Sequence, residues 1–321
     1  MMYRVSHVTT YHYAQSVSVS HHLLHLLPRQ TGNQTAHRSA LFVDPMASVC
    51  KTGTDYFGNR VAFLTLQAAH TTLSIHAKSA VEVMPPATPP AEATPPWEQV
   101  RDGLMQDISA AGIDALQYRF ESPFTVAASD LAGFALDSFT PGRPILDAAL
   151  HLTGRIYEAF QYDSTATTVS TPVDQVFEGR RGVCQDFAHL QIACLRAIGL
   201  AARYVSGYLL TYPPPGQDKL VGSDASHAWL SLWIPGHGWI DLDPTNNLLP
   251  SVEHVTIGWG RDYGDVSPIN GVVIGGGVHD VTVSVDVRQV ESVSAGHEPE
   301  SESAVIEFPH RASRGDDNQR H

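Results

Sequence analysis

Residues 179–209 read GRRGVCQDFAHLQIACLRAIGLAARYVSGYL, and the change of period along this stretch decides the fold. A Gly182-Val183 turn hands Cys184 to a run in which Phe187, Leu190, Gln191, Cys194, Leu195 and Ile198 recur at intervals of three and four. That is the stripe of an amphipathic helix, and Gly199 stops it. Residues 201–210, AARYVSGYLL, then read as a strand. Cys184 is therefore expected at a helix N-terminus, where the first backbone N–H groups lack partners within the helix. The positive end of the helix dipole there favours a thiolate over a thiol, which makes a cysteine a better nucleophile at neutral pH.

Working outward, SHAWLSLWI at 226–234 alternates His227, Trp229, Ser231 and Trp233 with Ala228, Leu230, Leu232 and Ile234. Period two means a strand, with His227 on the more polar face. GWIDLDPTN at 238–246 puts Trp239, Asp241 and Asp243 on one face until Pro244 ends the strand. The Pro235-Gly236-His237-Gly238 turn makes the two strands a hairpin, and directly opposed residues in a hairpin share a face. A register that sets Asp243 opposite Trp229 places it diagonal to His227, with Asp241 one step further off, opposite Ser231. A shift by one residue would turn both aspartates away. Asp243 is thus the carboxylate expected beside His227, although an aspartate before Pro-Thr is also a common turn former that caps its own backbone.

Upstream, Tyr3 to about Val83 is a series of short alternating runs separated by turn signals such as Gly32-Asn33, Asp44-Pro45 and Gly58-Asn59, the pattern of an antiparallel sandwich. Residues 55–64, DYFGNRVAFL, read as a hairpin. The histidines here (His7, His12, His21, His22, His25, His37, His70, His76) are scattered without cysteine partners and imply no metal site. MPPATPPAEATPPW, 84–97, carries three Pro-Pro pairs and reads as a stiff spacer. From Trp97 to Phe160 the pattern is helical, notably PILDAALHLTGRIYEAF at 144–160, so two or three helices precede the cysteine; Phe160–Gly179 reads as an approach loop in which Val173, Val176 and Phe177 make a short amphipathic turn. The division expected is a β-rich domain at 1–84, a Pro-rich linker at 85–97, a core at 98–250, further strands at 251–290 and a disordered tail at 291–321. YPPPGQDKLVGSDAS, ahead of His227, is either a lid-like substrate loop or a plain surface turn.

With 321 residues and 43% hydrophobic composition the chain can bury a core in each of two domains. A formal net charge of −13 argues against nucleic acid or an anionic membrane surface as partner. Three cysteines, Cys50, Cys184 and Cys194, imply no disulfide framework. Neither a signal-peptide core nor an apolar run long enough to span a bilayer is present, so the expected location is the cytoplasm, whose reducing conditions would keep a reactive thiol reduced.

Three blocks together, GVCQDFAHL, SHAWLSLWIPGHGWIDLDPTN and HVTIGWGRDYGDVSPINGVVIGG (254–276), resemble the transglutaminase-like superfamily, in particular its bacterial members described as cysteine proteases. The N-terminal region resembles the β-rich module that precedes this core in those proteins. The resemblance implies an α+β fold: an antiparallel β-sandwich-like domain followed by a papain-like core with helices packed on an antiparallel sheet. It implies Cys184 as nucleophile, His227 as general base and acid and Asp243 as the group orienting the imidazole, acting on a peptide or protein substrate without cofactor or metal. Hydrolysis of an amide through a thioester, transfer of the acyl group to an amine, and a non-catalytic binding module remain as readings. The N–H of Cys184 is the first expected oxyanion donor; Tyr162 and Gln161 are candidates for the second. Asp186 reads as structural support. Arg180 and Arg181 are either substrate-carboxylate ligands or solvated loop residues, and the glycines of VVIGGG lack the lysine and helix of a phosphate loop.

Overall fold

The structure is a computed structural model of the whole chain, and it describes residues 1–126, 129–211, 225–291 and 304–307. The lid-or-turn segment at 212–224 and most of the expected tail lie outside the described residues.

Five strands come first: β1 (Met2–Leu24), β2 (Gln34–Asp44), β3 (Val49–Thr54), β4 (Arg60–Leu66) and β5 (His70–Val83). The short runs at the N-terminus are one 23-residue strand. Register shifts at His12/Val17 and Val17/Val19 let it bend and serve two parts of one sheet. Its inward positions, from Tyr3 and Val5 to Val17 and Leu24, are buried in alternation. Leu41, Leu64, Leu66, Leu73 and Ile75 from the neighbouring strands complete a separate core.

Helices follow: α1 (Trp97–Leu104), α2 (Ala110–Leu116), α3 (Ser129–Leu136) and α4 (Ile145–Ala159). A two-residue strand, β6 (Gln161–Tyr162), then leads to α5 (Val173–Gly179), a helix where the sequence suggests a short amphipathic turn within an approach loop. Val173 and Val176 bury one side of that helix, enough apolar surface to hold two turns against the core. Next come β7 (Arg181–Gly182), α6 (Cys184–Ala197), β8 (Ala202–Leu209), β9 (Ala225–Ile234), β10 (Gly238–Leu242), β11 (His254–Gly260) and the short α7 (Tyr263–Val266).

The core sheet has the antiparallel order β10-β9-β8-β11. Ala228, Leu230, Leu232 and Ile234 on one face of β9 pack with Leu190, Ala193, Cys194 and Leu195 of α6. Each fully buried Leu or Ile contributes about 2 kcal/mol there. Trp229, Ser231 and Trp233 alternate with them, as the period-two reading requires.

The last strands, β12 (Ile269–Gly275), β13 (His279–Val290) and β14 (Ala304–Glu307), return to the N-terminal sheet. β12 and β13 pair with β1, and β14 extends the edge at β2, within a stretch expected to lack structure. The β-rich module is thus closed by both ends of the chain.

Two side chains clamp this module to β11. Gln34 accepts from the N–H of Thr256 at 2.8 Å and donates to its carbonyl at 2.7 Å. Asn59, fully buried, does the same at Trp259. Tyr3, Val81, Tyr208, Val255 and Val285 fill the apolar joint between the two parts.

Candidate active site

The helix carrying Cys184 begins where it does because three local devices coincide. Arg180, at φ 53°, ends α5 in the left-handed region. Arg181 and Gly182 then pair in parallel with Gln161 and Tyr162, which fixes the approach of the chain. Val183 is the N-cap, and since its side chain cannot accept a hydrogen bond, the cap comes from within the helix: Asp186 accepts from the Val183 N–H at 2.8 Å. Thr167 donates to the same oxygen at 2.6 Å. Gly182 is required by this arrangement, because a Cβ there would lie 2.7 Å from an Asp186 oxygen and 2.9 Å from its Cβ. Burial raises the Asp186 pKa, and the hydrogen bonds from Thr167 and Val183 work in the opposite direction. Asp186 thus holds the helix start beneath Cys184.

Opposite it, β9 begins and β10 ends at the same edge of the sheet. Gly238 pairs with Ile234 and Leu242 with Leu230, the register that brings Asp243 alongside His227. The His227 Nε2 and Asp243 Oδ2 atoms are 2.7 Å apart. The Cys184 thiol interacts with the same imidazole, which leaves it the other ring nitrogen, Nδ1. Cys184 is half-buried, His227 is 8% exposed and Asp243 is fully buried.

Burial alone would lower the His227 pKa. Its hydrogen bonds and charge interactions with Asp243 and Cys184 prevail, and the value rises to about 10. Burial also opposes the charge on Asp243, yet hydrogen bonds from His227 and His254, the His227 charge and a hydrogen bond from Asn246 hold it well below the usual carboxylate range. The imidazolium–carboxylate pair is therefore the resting state at neutral pH.

Asp243 does both things its sequence context allowed. Its Oδ1 caps the turn, accepting from the N–H groups of Thr245 at 2.9 Å and Asn246 at 3.2 Å. Its Oδ2 meets His227, the Asn246 amide at 2.7 Å and His254 Nε2 at 3.2 Å. Asn246 and His254 are the residues the sequence reasoning passed over. The signal for Asn246 was its place three residues after an Asx-type turn former; His254 stands at the start of a strand, where a histidine has no local signature. His227, Asp243 and His254 also bring three potential metal-ligand atoms within 4.8 Å of one another, the one such group among the described residues.

Of the oxyanion candidates, Gln161 and Tyr162 are both exposed, and Tyr162 lies near enough to Cys184 to feel its charge. Burial raises the Tyr162 pKa and the Cys184 charge raises it further. Arg180 is held by aromatic rings, its guanidinium carbon 4.2 Å from the centroid of Phe177 and 4.6 Å from that of Phe160. Arg181 is exposed, 3.7 Å from Asp163. Cys194 is buried in α6, and burial pushes its thiol up to about 12.

A cysteine at the head of a helix, facing a histidine and a carboxylate on a sheet, defines the transglutaminase-like class of α+β fold. The chain belongs to that superfamily. Residues 3–82 match the bacterial transglutaminase-like N-terminal region, and residues 135–244 match the transglutaminase-like superfamily core. The uncharacterized protein Rv2569c of Mycobacterium tuberculosis is 40% identical over 299 residues, spanning 90% of this chain and 93% of its own length. A protein-glutamine gamma-glutamyltransferase of Pseudomonas aeruginosa is 33% identical over 107 residues, 31% of this chain and 16% of that protein. Among proteins of known structure, a candidate cysteine protease from Cytophaga hutchinsonii superposes with a TM-score of 0.71 at 22% identity, covering 95% of this chain and 96% of its own. The fold is thereby shared along nearly the whole length. No helix among the described residues is long and apolar enough to cross a membrane.

Proposed function

We propose that the protein hydrolyses a peptide or amide bond through a thioester on Cys184, with His227 as general base and acid and Asp243 as the residue that orients the imidazole. The observation that carries this reading is the continuous line of contacts from thiol to imidazole to buried carboxylate. With His227 raised to about 10, a protonated imidazole stands beside the Cys184 thiol at neutral pH, ready to protonate a departing amine.

The thiolate attacks the carbonyl carbon of a carboxamide. The oxygen that becomes negative is met by the Cys184 N–H, free as the first of its helix, and by the Tyr162 hydroxyl as the second donor. The imidazolium gives its proton to the departing amine, leaving the thioester. Asp243 keeps the ring in one tautomer and offsets its charge. Water, deprotonated by the now neutral His227, attacks the thioester and releases the acid. Three free cysteines suit a reducing compartment, and the cytoplasm is the location we propose.

Transfer to a primary amine uses the same thioester, and the match to a protein-glutamine gamma-glutamyltransferase over 107 residues favours it as the second reading. A glutaminyl dipeptide incubated with dansylcadaverine separates the two. Ammonia release without dansyl incorporation is the result expected for hydrolysis, and incorporation would overturn it in favour of transfer. Loss of both activities in Cys184→Ala is expected under either reading.

A further inference from the structure

A cleft of about 540 Å³ lies away from Cys184, at the junction of the β-rich module, the Pro-rich segment and the core sheet. Such a volume suits a small ligand or a chain end. Its floor is the sheet face that also carries His227: Arg203 pairs across from Ser231, and Ser231 from Asp241. Ser231 is four residues from His227 along one strand, about 13 Å away by strand rise. Its wall is the segment Met84–Thr88, which the catalytic reading leaves without a role.

Arg203 is the unusual group here. It is 7% exposed, yet among the described residues its guanidinium has one hydrogen-bond acceptor, the Ser231 hydroxyl at a long 3.4 Å. Its carbon stands 3.7 Å from the centroid of the Trp259 ring and 4.3 Å from that of Trp239. Stacking occupies the faces of the planar cation and leaves the N–H bonds of its edge directed into the cleft it lines. Asp241 offsets the charge, but both its oxygens already accept hydrogen bonds, one from Ser231 and the other from the Trp229 indole at 3.0 Å. Burial pulls the Arg203 pKa down to about 10, so the group is still a cation at neutral pH. With only its Nε–H engaged, and that by a long bond, the fork's terminal N–H groups leave a partner site open.

We infer that this cleft is a second binding site, in which the edge of Arg203 takes a carboxylate while the apolar wall around Pro85, Pro86 and Leu249 takes the body attached to it. Two in-plane N–H bonds match the two oxygens of a carboxylate. A phosphate would bring more negative charge against Asp241. The carboxylate can come from the free C-terminus of a peptide or from a small organic acid.

Trp239 and Trp259 make binding visible as a change in tryptophan fluorescence, and the full-length Cys184→Ala variant removes turnover from the measurement. The probes are N-acetyl-Ala-Leu-Phe with a free carboxyl group, the same peptide amidated at its C-terminus, 3-phenylpropionate and inorganic phosphate. Saturable binding of the free acid is expected, weakened about tenfold or more by amidation and by Arg203→Lys, which keeps the charge but loses the fork. Gly32→Trp guards against misfolding: Gly32 lines the cleft, and an added Cβ there meets nothing within 4 Å. That variant should fold normally and block binding. Binding of 3-phenylpropionate as tight as that of the peptide supports the site with a small acid as ligand, and much tighter peptide binding supports it with a peptide C-terminus. Equal binding of acid and amide, binding that survives both variants, phosphate competing as well as 3-phenylpropionate, or no saturable binding overturns the inference. None of these outcomes depends on whether Cys184 is a nucleophile.

Discussion

Replacing Asp243 by asparagine separates the two tasks of that carboxylate. Oδ1 receives two backbone N–H groups and Oδ2 receives the His227, His254 and Asn246 side chains. The backbone donors cannot reorient, so the introduced amide must give them its oxygen and turn its NH₂ towards His227. The turn survives, but the imidazole is forced to accept at Nε2 and carry its proton at Nδ1, where the thiol needs an acceptor. A tautomer error of this kind costs about 10⁴ in turnover in a triad enzyme. The His227 pKa, raised to about 10 in part by Asp243, falls towards its ordinary value, and the imidazolium beside Cys184 is lost at neutral pH. The readout is the rate of Cys184 alkylation by iodoacetamide between pH 5 and 9, resolved by mass spectrometry of the peptides, beside ammonia release from a glutaminyl dipeptide. The expected result is slower alkylation at low pH and a loss of about a thousandfold or more in turnover with an unchanged circular dichroism spectrum. An Asp243→Asn protein with the wild-type alkylation profile and turnover within about tenfold would refute the reasoning.

The remaining expectations concern stability and access. The His227–Asp243 pair links stability to pH in both directions: the raised histidine contributes fully below about pH 6.5 and its share is lost as pH climbs through about 10, while the depressed carboxylate contributes above about pH 4 and its share is lost on acidification. Asp243→Ala, which breaks the buried pair and also empties the turn cap, should cost about 3–5 kcal/mol near pH 7 in urea unfolding and much less near pH 2. Gly182→Ala drives a Cβ against Asp186 and should destabilise by about 1–3 kcal/mol while slowing Cys184 alkylation, because the helix start shifts. Gly207→Ala, where a Cβ would sit 2.2 Å from the Val255 carbonyl oxygen, should be more damaging and is read in the same unfolding assay. Zinc should slow Cys184 alkylation, since His227, Asp243 and His254 converge closely enough to ligate it, and His254→Phe should relieve that effect.

What the sequence made legible was set by local rules. The head of α6, the alternation of β9 and the tight hairpin to β10 each depend on residues within about a dozen positions, so helix period, strand parity and turn chemistry suffice to bring Asp243 to His227. The closure of the β-rich module by β12 and β13 was not legible. Alternation in VHDVTVSVDV marks β13 as a strand, of which Val285 and Val287 are buried, but the same pattern fits any partner strand, and Met2 pairs with Val290 across nearly the whole chain. The full length of β1 was hidden for a related reason, since a bulge near Val17 looks in sequence like a turn between two strands. His254 joins Asp243 only because β11 lies beside β8 in the finished sheet, and the Pro-rich segment becomes one wall of a cleft only once both halves have docked.

The most direct measurement is the mass of the intact protein after rapid acid quench during turnover of a glutaminyl or activated-ester peptide, followed by peptide mapping. An adduct equal to the acyl group minus one hydrogen, confined to the peptide that begins the α6 helix and absent in Cys184→Ala, is the expected result. Turnover in Cys184→Ala, or an acyl group found only on Cys50 or Cys194, would contradict the account.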